Sequence, residues 1–75
     1  MKAYVLIKVR KGEISEVVRQ LRKLKFTKEA HMTFGPYDAV AQVETSDVGE
    51  LGSFLASELQ PIPGIDETIT CIAVG

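Results

Sequence analysis

Four residues in a row, Gly35-Pro36-Tyr37-Asp38, combine the features a small-molecule site needs. A glycine lets the backbone approach a ligand closely, and a tight turn leaves main-chain N–H groups unpaired. Asp38 adds one carboxylate where the turn becomes a strand, suited to a charge-assisted bond with an ammonium group. Tyr37 offers an apolar ring with a polar tip. Downstream, Thr68 and Thr70 share one face of an alternating segment that also carries Ile72, and Met32 precedes the turn. Paired hydroxyls can meet a ligand carboxylate or amide, and Met32 and Ile72 can set the size of side chain admitted. Each residue also has an ordinary structural reading. Gly35 serves a turn with positive φ, Asp38 ties down its own turn, Tyr37 sits at an interface, the threonines favour strands, and Met32 and Ile72 fill core.

Reaction chemistry is absent from this set. His31 is the single histidine and Cys71 the single cysteine, so no metal site can form without recruiting carboxylates. No paired acid and base accompany them, no cofactor motif occurs, and Cys-x-x-Cys is missing. His31 is expected to be solvated on an edge strand, and Cys71 to be a small buried hydrophobe.

Periodicity supplies the elements that must hold these residues. Ala3 to Val9 alternates as a strand, with Ala3, Val5, Ile7 and Val9 on one face. Glu13 to Leu24 carries Ile14, Val17, Val18, Leu21 and Leu24 as one helical stripe. Phe26 to Phe34 alternates again, and the Gly-Pro-Tyr-Asp turn leads into Ala39 to Glu44. Asp47 with Glu50 three residues on forms a capping box for a helix burying Val48, Leu51, Leu55 and Leu59, with Phe54 beside the stripe. Pro61 ends that helix by Gln60, Pro63-Gly64 turns, and Ile65 to Val74 forms the last strand.

The order β-α-β-β-α-β is the α+β ferredoxin-like arrangement: a four-stranded antiparallel sheet with two helices on one face and strands one and three central. Seventy-five residues make a single domain spanning 1–75. Such a chain buries only about 60% of its unfolded surface. With 45% hydrophobic residues and no disulfide framework, it calls for oligomerisation, and the bare sheet face offers a sheet-to-sheet dimer. The N-terminal apolar run of five residues is too short for a signal peptide or membrane span, which points to the cytoplasm. All nine cations lie in the first 28 positions beside two acids, giving +7, and eight acids follow without a Lys or Arg. The two halves either attract each other within the fold or meet between subunits.

On Glu16-Val17-Val18 with Leu21, Gly35-Pro36-Tyr37-Asp38, Asp47, and Ile62-Pro63-Gly64-Ile65 leading to Thr68-Ile69-Thr70, the chain resembles the ligand-binding (RAM) domain of Lrp/AsnC transcriptional regulators. The resemblance covers nearly the whole sequence. It implies a dimer through the sheets, assembly into rings of dimers, commonly octamers, and an amino acid or related metabolite bound in clefts between dimers beside the turn. On that basis Met32, Gly35, Pro36, Tyr37, Asp38, Thr68, Thr70 and Ile72 are the expected ligand-binding residues. Family regulators carry a helix-turn-helix that this chain has no room for. The chain is therefore expected to be a stand-alone sensor without direct DNA or membrane binding, able to mix with full-length regulators. Lys25-Phe26 stands where many members have Pro-Gly, and Phe34 replaces a small polar residue before the glycine. Two other readings remain open. One is a small dimeric ferredoxin-like enzyme of the monooxygenase or isomerase type. The other is an ACT-like amino-acid sensor using Arg10-Lys11-Gly12-Glu13.

Overall fold

The computed structural model describes all 75 residues. The order is β1 (Lys2–Val9), α1 (Ile14–Lys23), β2 (Thr27–Met32), β3 (Ala39–Glu44), α2 (Val48–Phe54), a π-helical turn (Leu55–Leu59) and β4 (Ile65–Ile72). The strands form one antiparallel sheet in the order β2-β3-β1-β4, so β1 and β3 are central as expected.

Register assigns the faces. Ala3, Val5 and Ile7 pair with Val43, Ala41 and Ala39, and all six are buried beneath the helices. Val17, Val18 and Leu21 of α1 and Leu51 and Phe54 of α2 complete the core with Leu59. The opposite face stays open. It carries Tyr4 opposite Cys71, Leu6 between Val40 and Ile69, and Lys8 opposite Glu67. Cys71 is thus exposed rather than buried, because its partner Tyr4 points away from both helices.

Several boundaries depart from the periodicity. β2 starts at Thr27 and stops at Met32, with a register shift between Thr27 and Glu29. The carbonyl of Phe26, just before it, still accepts from the Glu44 N–H at 3.0 Å, and the Phe26 ring meets Phe54 edge-on with centroids 5.3 Å apart. β4 ends at Ile72, not Val74, because β1 begins at Lys2 and its carbonyl takes the final bond, from the Ala73 N–H. Asp47 caps α2 by accepting from the Glu50 N–H at 2.8 Å. Glu50 in return reaches the N–H and hydroxyl of Ser46, one residue before the cap. Those two donors hold the Glu50 carboxyl below the usual range.

The expected stripe of α2 is also revised. Phe54 is buried, whereas Val48 is 58% exposed and Leu55 only half-buried. The cause is the π-helical turn, closed by the Gln60 N–H to the Leu55 carbonyl at 2.8 Å. On a continuous α-helix Phe54 and Leu59 would stand about 140° apart. The wider i→i+5 turn swings Leu59 onto the same side as Phe54.

No ion pair within 4 Å joins the basic first segment to the acidic second one. Basic β1 runs between acidic neighbours, with Lys2 opposite Glu44 and Lys8 opposite Glu67. The ion pairs within 4 Å are all local: Arg10–Glu13, Arg19–Glu16 and His31–Glu29.

Two outcomes follow from this packing. Phe54→Ala should destabilise the domain by about 3–5 kcal/mol in urea denaturation, while exposed Val48→Ala should change it by less than about 0.5 kcal/mol. The Glu16 carboxyl, held by the Arg19 guanidinium and then the Gln20 amide, is lowered from 4.5 to about 2. Its folded value lies below the unfolded one, so its contribution is complete above pH 4.5 and disappears as pH falls toward 2. NMR titration should find that low midpoint, and Arg19→Ala should return it toward 4.5.

Candidate functional site

Between β2 and β3 the segment Thr33–Asp38 forms a hook at one end of the sheet, and its bonds explain its shape. The Thr33 N–H donates to the Asp38 carbonyl at 3.0 Å, and the Thr33 hydroxyl to the Tyr37 carbonyl at 2.7 Å. The Asp38 N–H donates to the Ile7 carbonyl at 2.9 Å. Asp38 Oδ2 accepts from the Val9 N–H at 2.8 Å. β3 starts only at Ala39, so the carboxylate stands in for the strand carbonyl that Val9 would otherwise lack. Asp38 therefore fastens the hook to β1 rather than closing its own turn, and Oδ1 is left over. Lys8 adds a second tie, donating from Nζ to the Pro36 carbonyl at 3.1 Å with the ammonium 6.0 Å from the Tyr37 ring centre.

Gly35 has φ +147° with nothing within 4 Å of where a Cβ would be. Glycine here serves the backbone conformation, and the space beside it is open. The N–H groups of Phe34, Gly35 and Tyr37 have no main-chain partner. Against this hook lies a hollow of about 440 Å³ lined by Leu6, Thr33, Phe34, Gly35, Pro36, Tyr37, Ala39 and Val40.

The expected residues thus separate. Gly35, Pro36, Tyr37 and Asp38 cluster in the hook. Met32 lies opposite Ala39 on the edge strand that leads into the hook, and Thr68, Thr70 and Ile72 lie opposite Ile7, Val5 and Ala3 on the other edge strand, all on the helix-side face. Met32 and the β4 residues are three strand spacings or about 14 Å apart. Both edges are accessible, with Met32 50% and Ile72 44% exposed. One chain does not bring Met32 and the β4 residues together.

Lys8, Leu6 and Val40 were not among the expected residues. Leu6 and Val40 are cross-strand partners, a relation that only the register reveals. The Arg10–Glu13 turn is closed on itself: Arg10 pairs with Glu13 at 3.1 Å, and its N–H is taken by the Gly64 carbonyl. Gly64, at φ +100°, packs so tightly that a Cβ would lie 3.1 Å from Val17 Cγ2. His31 is exposed as expected, with Nε2 3.0 Å from Glu29 Oε1. No group of three or more His, Cys, Asp or Glu side chains is placed to hold a metal ion.

The sequence model described as "Lrp/AsnC ligand binding domain" matches residues 2–75. The chain belongs to the Lrp/AsnC family. It is 39% identical over 74 residues to the HTH-type transcriptional regulator FL11 of Pyrococcus abyssi, covering 99% of this chain and 48% of that protein. This Lrp/AsnC domain spans about half the length of the curated relatives it matches. Among solved structures, FFRP-DM1 superposes with a TM-score of 0.92 at 32% identity, covering 97% of both chains. The transcriptional regulator NMB0573 of Neisseria meningitidis, solved as an L-Met complex, shares the fold with a TM-score of 0.88 at 17% identity, over 99% of this chain and 49% of that one. The family and its named regulators bear out the expectation of a regulatory ligand-binding domain rather than an enzyme.

The Asp38–Val9 bond makes a prediction independent of any ligand. Asp38→Ala leaves the Val9 N–H unpaired and should cost about 1–3 kcal/mol in denaturation without additives. Asp38→Asn, whose amide oxygen can still accept, should recover most of that loss.

Proposed function

We propose that this Lrp/AsnC domain is a cytoplasmic, non-catalytic effector sensor that binds an amino acid or related small metabolite at the hook and responds through its assembly. The observation that carries this reading is the combination of donors and acceptor at Thr33–Asp38. N–H groups of Phe34, Gly35 and Tyr37 without main-chain partners, beside an apolar hollow, suit a carboxylate, and Asp38 Oδ1, on the same hook outside the lining of that hollow, suits an ammonium. These are the complements of the two ends of a free amino acid.

The hook is open on one side, and a second copy would close it. Met32 on one edge and Thr68, Thr70 and Ile72 on the other are accessible surfaces that neighbouring dimers could bring to the cleft. The open face with Tyr4, Ile69 and Cys71, beyond the hollow, supports a sheet-to-sheet dimer as the building block. A ligand bridging two dimers would shift the ring equilibrium by its differential affinity for the two arrangements. In this reading the domain assembles with copies of itself or with full-length regulators.

Sedimentation velocity on the protein alone and with each of the twenty amino acids tests this. The expected result is a dimer or larger ring whose size or stability changes with particular amino acids. Ile69→Glu, which places a charge on the open face away from the hollow, should yield monomers. A stable parent monomer indifferent to every amino acid would overturn the reading.

A further inference from the structure

One row of side chains crosses the open face of the sheet. Glu29 of β2 lies opposite Gln42 of β3, Gln42 opposite Tyr4 of β1, and Tyr4 opposite Cys71 of β4. The two ends of this row carry metal-binding groups that one chain keeps apart. At the β2 end His31, two residues on and so on the same face, sets Nε2 3.0 Å from Glu29 Oε1. With Tyr4, Val40 and Gln42 this pair borders a hollow of about 220 Å³. At the β4 end stands the exposed free thiol of Cys71, three strand spacings or about 14 Å away. We infer that two copies of this chain, packed sheet to sheet, bind zinc, each ion held by Glu29 and His31 of one copy and Cys71 of the other. This rests on the sheet-to-sheet dimer of the proposed function and is independent of what the hook binds.

No single chain gathers three such donors, but two-fold symmetry does. An axis running along the strands through the middle of the sheet, between β3 and β1, exchanges the two edges. β2 of one copy then lies over β4 of the other, and the Glu29 end of each row over the Cys71 end of its partner. Aligned sheets pack about 10 Å apart, a gap that side chains fill from both sides. The donors suit the ion. Zinc takes imidazole nitrogen and carboxylate oxygen at about 2.0–2.2 Å and thiolate sulfur at about 2.3 Å, so two tetrahedral N and O donors stand about 3.3 Å apart. The Glu29–His31 separation is close to that value, and both side chains are more than half exposed and free to open the remainder. Charge points the same way. Covering the open face strips water from the Glu29 carboxylate, which then needs a counter-charge. One carboxylate and one thiolate, formed as the Cys71 proton passes to solvent, balance the two charges of zinc and leave the covered site neutral.

Equilibrium dialysis of the full chain against zinc, absorption of the cobalt form, and sedimentation velocity in zinc or EDTA test this. The same measurements are made on His31→Ala, on Cys71→Ser and on an equimolar mixture of the two. The parent should bind one ion per chain, its cobalt form should show thiolate charge transfer, and zinc should tighten the dimer by about tenfold or more over EDTA. Each variant alone should lose the ion while keeping its thermal midpoint in EDTA, since both side chains are exposed. The mixture should regain one ion per heterodimer, because the intact His31 of one variant meets the intact Cys71 of the other. Zinc held equally well by Cys71→Ser alone would overturn the shared site. A dimer that takes up no zinc would overturn the metal and leave the dimer standing. A parent that is monomeric in zinc and EDTA alike would overturn the dimer, and this inference with it.

Discussion

Strand β1 is hydrogen-bonded along both of its edges, and its two-residue alternation sets what every other element must do. Ala3, Val5, Ile7 and Val9 face the helices, so the partners that register places beside them become core or face it: Ala39, Ala41 and Val43 on one side, Thr68, Thr70 and Ile72 on the other. Tyr4, Leu6 and Lys8 define the open face by the same geometry. A slip of one residue would exchange the two sets and put Lys8 under a helix.

β1 also organises the hook. Its last residues outrun β3, which begins only at Ala39, and the Val9 N–H there requires an acceptor that no strand supplies. Asp38 answers that need, and Lys8 answers from the other direction by reaching the Pro36 carbonyl. The hook is thus braced by side chains together with the Thr33 and Asp38 N–H groups, leaving the N–H groups of Phe34, Gly35 and Tyr37 without main-chain partners. Stability and recognition meet in one carboxylate: Oδ2 holds the fold, and Oδ1 remains for a ligand in the proposed role. The domain belongs to a regulatory family, and in the proposed role this division would let one carboxylate serve both the fold and a ligand.

The π-helical turn after α2 shows a local irregularity serving the core. With α-helical geometry throughout, either Phe54 or Leu59 would be turned away from the sheet. Widening one turn buries both, and Phe54 meets Phe26, the residue just before β2.

Most of the fold was legible in the residues. Alternation marked all four strands, the stripe from Ile14 to Leu24 marked α1, and Asp47 with Pro61 bracketed the second helical segment, because strand and helix periods act over a few residues. The hook was legible for the same reason, as Gly35 and Pro36 constrain φ locally. Other features depended on partners distant in sequence. Exposure of Cys71 rests on its pairing with Tyr4, burial of Phe54 on Leu59 and Phe26, and the early end of β4 on where β1 begins. The site divides along the same line. Gly35 to Asp38 declared themselves as a turn, whereas Leu6, Lys8 and Val40 join it only through antiparallel register, and Met32 and the β4 threonines are held apart by the width of the sheet. Local sterics and periodicity are written into neighbouring residues; register, which decides faces and who meets whom, is set only when strands far apart in the chain pair.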